Sequence, residues 1–350
     1  MKAAVVVEPG RLELLDVPEP EPDDYQATVE TLAGGLCGTD RHIVEGTFYR
    51  RDYPAVLGHE SIGRVIEVGR RVRHLTPGDM VLRTSAARPG ERLGSFASAL
   101  GGFAPVALAT DVQALAEDGR EADIKPYDRL QKVVPADFDP LDVGAFIGFK
   151  ETLSWLRKLP ELRGKRVLVI GTGSAGLLFV QLARMDGARQ LLVLGRRTAR
   201  LEQARRFGAD EAFAVSTAEL VARLRDLTDG DGVDIVIEAA GTVDVLEAVP
   251  DALARGGIVA VYGISAGQSA TFRWGWDRSV PRTWSLRFEE PDEAGIHDEA
   301  LRIVKDGGYS LKSTLTHVLP FTQIDEALVA MRAEGACKVA IDFRPGALPG

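Results

Sequence analysis

Residues 165–185 read KRVLVIGTGSAGLLFVQLARM. An apolar run, a turn holding three glycines and a second apolar run at helical spacing describe a buried strand, a sharp turn and a helix folded back on the strand. In Gly171-Thr172-Gly173-Ser174-Ala175-Gly176 the first glycine permits the turn, the second lets the main chain approach a pyrophosphate, and the third lets helix and strand pack closely. Ser174 and Ala175 open the helix, whose free N–H groups and positive dipole end favour an anion. The pattern predicts a dinucleotide-binding unit in preference to a purely structural glycine turn.

The next strand, QLLVLG, ends about 20 residues past the turn, where a carboxylate would bind the ribose of NAD. Gly195-Arg196-Arg197 stands there instead. With no carboxylate to repel it, a 2′-phosphate can be held by a guanidinium through paired hydrogen bonds. The expectation is therefore NADP(H) in preference to NAD(H), with Gly195, Arg196 and Arg197 at the 2′-phosphate. A solvated loop accounts for one of the arginines more readily than for both. Arg200 is either a third contact or a charge on the helix face.

From residue 151 onward the strands KRVLVI, QLLVLG, VDIVIEAAG and IVAVYGIS alternate with helical runs, one of them through VLEAVPDALARGG. Apolar strands alternating with amphipathic helices imply a parallel sheet covered on both faces. The first 80 residues differ: AAVVV, RLELLDV, YQATVETLA, SIGRVIEVG and GDMVL are short runs broken by Pro, Gly and Asp, the pattern of an all-β domain. The last sixty residues carry helices at HDEALRIVKDGG and IDEALVAMRAEG and a closing strand at CKVAIDF. The predicted architecture is α/β: a β-rich domain from 1–150 and 290–350, interrupted by a doubly wound parallel-sheet domain at 151–289, with a cleft between them. Residues 83–126 read as strand and loop.

A formal charge of −9 disfavours nucleic acid or an anionic membrane as the main partner, which leaves small molecules. No apolar stretch approaches the ~20 residues of a membrane span, and the N-terminal MKAAVVVEPG has no signal-peptide pattern. With two cysteines, at most one disulfide can form, and the expected compartment is the cytoplasm. His74 and His297 read as surface residues, and His317 is given no role. Trp274, Trp276 and Trp284 read as a substrate wall, a subunit contact or ordinary core.

Cys37, in GLCGTDRHIVEG, and His59-Glu60, in LGHE, offer a thiolate, an imidazole and a carboxylate. Together they suit a tetrahedral Zn²⁺ with one position open for substrate. Taken singly, each has a plainer reading as a small buried thiol, a core histidine or a surface acid. GLCGTDRHIVEG, PAVLGHESIGRVIEVG and TPGDMV resemble the catalytic-domain signature of the zinc-dependent medium-chain dehydrogenase/reductase superfamily. The similarity runs on through GTGSAG to FTQIDEALVAMRAEGACKVAIDF, nearly the whole chain.

The resemblance implies a GroES-like β-rich catalytic domain joined to a Rossmann cofactor domain. By position, Cys37 and His59 resemble zinc ligands, and Glu60 resembles an acid that is a ligand in some members and lies behind the metal in others. Glu151, in KETLSWL, is similar to a glutamate that approaches zinc in sugar and polyol dehydrogenases. Thr39 resembles the hydroxyl that takes the substrate proton, His42 the histidine that passes it to solvent, and Asp40 a residue that orients His59. Four closely spaced cysteines after TPGD would bind a second, structural zinc in many relatives; this chain has none there, so one catalytic ion per chain is expected. The implied activity is hydride transfer between NADP(H) and a polar secondary alcohol or ketone of the sugar, polyol or cyclitol class, in a homodimer or homotetramer. A metal-free NADPH-dependent reductase and a non-catalytic NADP(H)-binding sensor are the alternatives. The substrate pocket is expected from segments 45–53, 88–104 and 272–292.

Overall fold

The computed structural model describes residues 1–48, 52–263 and 283–344; Trp274 and Trp276 lie outside them. The chain forms two compact units, one of Met1–Ile147 with Glu293–Gly350 and one of Gly148–Asp292, and the boundary falls inside the helix Val143–Leu156.

In the unit Gly148–Asp292, six strands form one parallel sheet in the order Glu211–Phe213, Gln190–Leu194, Arg166–Ile170, Val233–Glu238, Leu253–Val261, Trp284–Phe288. Every residue from Val167 to Ile170 is buried, as a strand covered on both faces requires. The order reverses between Arg166–Ile170 and Val233–Glu238, and such a switch point is where open α/β sheets bind ligands, beyond the carboxyl ends of the strands. Helix Ser174–Met185 buries Leu177, Leu178, Phe179, Val180, Leu182 and Ala183, residues on most of its circumference.

The expected helix through VLEAVPDALARGG is shorter. It covers Val243–Ala248, tightens into a 3₁₀ turn at Val249–Ala252 and gives way to a strand at Leu253. Pro250, lacking an N–H, cannot continue the α-helical ladder. Trp284 begins the last strand and packs on the apolar core of this sheet, the ordinary core reading.

In the other unit, the long strand Gln26–Leu36 pairs antiparallel with Glu60–Val68, Val106–Thr110 and, from the far end of the sequence, Lys338–Asp342. The first 80 residues are not all strand: a helix, Gly38–Val44, follows directly on Gln26–Leu36. A reciprocal cap starts it, with the Thr39 N–H donating to Cys37 Sγ and the Cys37 N–H to Asp40 Oδ2. Seven residues are too few to display helical periodicity. Residues 83–126 also hold a helix, Val112–Glu117, whose cap Asp111 accepts from Ala114 N, Arg73 N and His74 N. His297, read as a surface residue, is buried, and its Nε2 lies 3.0 Å from the Val133 carbonyl. Among the described residues no helix is long and apolar enough to cross a membrane.

Candidate metal centre and nucleotide turn

Cys37 sits where the strand Gln26–Leu36 ends and the helix Gly38–Val44 begins, so sheet and helix cap both fix its main chain. His59 lies between strands Ala55–Leu57 and Glu60–Val68, next to Gly58 at φ +103°. A Cβ on Gly58 would stand 2.3 Å from the Phe103 ring, so only glycine allows the bend that turns His59 toward Cys37. His59 Nε2 is 3.2 Å from Cys37 Sγ, and Nδ1 is 3.1 Å from Asp40 Oδ1. Asp40 is fully buried, and its other oxygen receives the Cys37 N–H at 2.9 Å. One carboxylate thus orients both neighbours and leaves Nε2 and Sγ facing each other.

This donor set fits a cation. Zn–S and Zn–N bonds of about 2.3 and 2.0 Å at a tetrahedral angle separate sulfur from nitrogen by about 3.5 Å, close to the spacing found. Burial opposes charge on the His59 ring, yet Cys37 and Asp40 outweigh it and raise its proton affinity well above the ordinary value. Among the described residues, Cys37, Asp40 and His59 form a group of donors all within 4.8 Å of one another.

The other expected metal residues are placed differently. The buried Glu60 carboxylate lies 2.6 Å from Lys338 Nζ. Glu151 is half-buried on helix Val143–Leu156, in the unit Gly148–Asp292. Thr39 and His42 stand three residues apart on their short helix and so share a face. His42 Nδ1 meets Thr47 Oγ1 at 2.9 Å, and burial together with the Arg41 charge lowers its proton affinity.

Three residues beside this centre escaped the sequence reading. Lys338 pairs with Glu60, and Arg83 reaches both Glu293 and the His59 carbonyl. A lysine inside the apolar run CKVAIDF was a visible signal for the first; Arg83 and Glu293 carry none.

In the other unit, Gly171 takes φ +104°, and a Cβ on Gly176 would fall 2.0 Å from the Gly171 carbonyl. Gly173 is the opposite case: a Cβ there would meet nothing within 4 Å. It caps helix Ser174–Met185 with no side-chain bond, leaving Ser174, Ala175 and Gly176 to present N–H groups to that space. The geometry suits a pyrophosphate. Glu238, also unanticipated, accepts from Ala240 N and Thr242 N and braces the loop that Gly171 packs against. Gly195 is buried against Thr172, while Arg196 and Arg197 are exposed; the Arg197 carbonyl accepts from Arg200 N and Leu201 N at the start of helix Thr198–Arg206, and neither guanidinium bonds to another described residue. Arg200 is buried.

Family models for an alcohol dehydrogenase GroES-like domain and a zinc-binding dehydrogenase match residues 23–117 and 175–279. An L-threonine 3-dehydrogenase of Streptomyces coelicolor is 30% identical over 98% of this chain and 99% of its own length. The chain belongs to the zinc-type medium-chain dehydrogenase family. A sorbitol dehydrogenase of Halalkalibacterium halodurans is 26% identical over 97% of this chain and 99% of its own. The fold of this family member is shared with a structure described as a zinc-binding dehydrogenase from Sinorhizobium meliloti, bound to NADP. The two are 23% identical with a TM-score of 0.79, and the match covers 98% of this chain and 99% of that one. This medium-chain dehydrogenase therefore combines a GroES-like unit carrying Cys37, Asp40 and His59 with a Rossmann unit carrying the glycine turn.

Proposed function

We propose that this dehydrogenase is a zinc-dependent oxidoreductase that transfers hydride between NADP(H) and a polar secondary alcohol or ketone of the sugar, polyol or cyclitol class. The observation that carries it is the Cys37–His59 pair, facing across 3.2 Å with Asp40 behind it. Zinc held by Cys37 and His59 supplies Lewis acidity at the substrate oxygen. Bound NADP⁺ would supply the acceptor for the hydride of the carbinol C–H bond, while Thr39 would take the hydroxyl proton and pass it on to His42. A histidine whose proton affinity is lowered stays neutral near pH 7 and can accept that proton.

Gly173 and the helix behind it would take the pyrophosphate, and the exposed Arg196 and Arg197 the 2′-phosphate. Sorbitol is a polyol, which supports the substrate class, while threonine, an amino acid, supports only the polar secondary alcohol. Glu60, whose carboxylate meets Lys338 Nζ at 2.6 Å, and Glu151 are the two candidates proposed for the further ligand. The unit boundaries Met1–Ile147 with Glu293–Gly350 and Gly148–Asp292 support a catalytic and a cofactor domain in that division. A cytoplasmic homodimer or homotetramer is the proposed form.

Metal analysis with an NADPH and NADH fluorescence titration tests this. About one zinc per chain, NADPH bound at least tenfold more tightly, and turnover of a sugar or cyclitol are expected. Nucleotide binding without zinc in protein never exposed to chelator would instead favour a metal-free reductase or a sensor.

A further inference from the structure

His59 is steadied at two points, and only one of them is its ring. Asp40 holds the imidazole, while Arg83 Nη1 donates to the His59 main-chain carbonyl at 3.1 Å. The same guanidinium is gripped by Glu293, from Nε at 3.3 Å and Nη2 at 2.5 Å, and both side chains are only 4% exposed. Arg83 takes φ +57°, a left-handed backbone that a long side chain adopts only when its surroundings impose it. The surroundings here are dense: the Arg83 N–H donates to the Ser61 carbonyl at 2.7 Å, and its carbonyl accepts from Gln131 Nε2 at 3.3 Å. Tyr127 is buried, and its hydroxyl has no hydrogen-bond partner among the described residues.

We propose that Arg83 is a positioning residue of the metal centre, fixing the peptide that carries His59 so that Nε2 faces Cys37. The inference rests on the reading of Cys37 and His59 as metal ligands. Gly58 supplies the reason such a brace is needed. Gly58 bends the chain at φ +103° with its carbonyl held by the Gly102 N–H at 2.7 Å, and strand pairing of Glu60–Val68 begins only one residue after His59, so the peptide that follows His59 is the one Arg83 holds. Arginine suits the task because its planar fork satisfies a carboxylate through two N–H groups and still has donors for a carbonyl; lysine's single ammonium cannot match both directions. A buried charge pair is costly to bring out of water, and a carbonyl-directed guanidinium gives this one a function beyond cohesion.

The test uses the full-length protein loaded with zinc, or with Co²⁺ as a visible-band reporter. Arg83→Lys is expected to weaken zinc in chelator competition by about 10- to 100-fold, the range known for partners that orient a ligand, and to move the cobalt absorption band. NADPH affinity, governed by the other unit, should change by less than about twofold in a protein that has kept its fold. Glu293→Gln, nearly isosteric, should move metal affinity and the cobalt band in the same direction, and it serves as the decisive variant if Arg83→Lys does not fold. A folded variant with zinc affinity and cobalt band unchanged would overturn the proposal. Wild-type protein that takes up no cobalt would overturn the metal reading itself, a failure distinguishable because it needs no Arg83 variant to be seen.

Discussion

Cys37 has two tasks that can be separated. Its sulfur faces His59 and also accepts the Thr39 N–H that starts the helix Gly38–Val44. Serine is the better helix cap but a poor zinc ligand. Cys37→Ser should therefore keep the melting temperature of the metal-free protein within a few degrees while losing zinc and turnover together; retained zinc in that variant would move the ligand assignment elsewhere. His42 gives a pH signature. Burial and then Arg41 depress its proton affinity below the usual 6.5, so it remains an acceptor as pH falls through that value. The acid limb of kcat/KM for alcohol oxidation should fall below 6.5, and His42→Gln should remove that limb and slow oxidation by about 10²-fold or more. The sign for stability is the reverse of a salt-bridged histidine: an unfolded chain binds this proton more tightly, so the contribution of His42 to stability falls as pH drops through 6.5, opposite in sign to that of His59. Cys37, Asp40 and His59 were legible as residues because two short motifs hold them all. Glu293 was not, and the apolar run around Lys338 marks that lysine without naming its partner, since Glu293 and Lys338 lie 210 and 278 positions from Arg83 and Glu60.

Among the elements, the glycine turn separates folding from binding within three residues. Gly176 has no room for a Cβ, and Gly173 has nothing but room. Gly176→Ala should lower the melting temperature of the cofactor unit, because the helix must move away from the Gly171 carbonyl. Gly173→Ala should melt like wild type in the absence of nucleotide and yet bind NADPH at least tenfold more weakly, as a fluorescence titration would read. An equal loss of stability in both would mean the space at Gly173 is not a ligand's. The parallel sheet and the helix Ser174–Met185 could be read from apolar periodicity alone, since a strand buried on both faces has little other composition available. The helix Gly38–Val44 could not, because a cap made by a cysteine and an aspartate resembles a loop on paper. The end of Val243–Ala248 was readable in retrospect, since Pro250 marks it.

At the scale of the whole molecule, the donors for metal and the turn for nucleotide belong to different units. Chelation should accordingly abolish turnover while leaving NADPH binding intact, and should lower the melting temperature of the metal-binding unit by mass action. Chelator that leaves full activity would sink the zinc assignment. Replacing both Arg196 and Arg197 by Ala should raise KM for NADPH about 10- to 100-fold, as lost charged hydrogen bonds predict, with little change for NADH. Equal effects on both cofactors would mean these arginines do not meet the 2′-phosphate.

The strand Lys338–Asp342, which pairs with Gln26–Leu36 and brings Lys338 to Glu60, has a consequence for biosynthesis. A nascent polypeptide that has emerged through residue 292 already holds every segment of the cofactor unit but lacks Glu293, Lys338 and two strands, Leu315–Pro320 and Lys338–Asp342, of the sheet that contains Gln26–Leu36. During translation the nucleotide-binding unit can therefore finish first and the metal centre last, so an aborted or shortened product would capture nucleotide without turning it over.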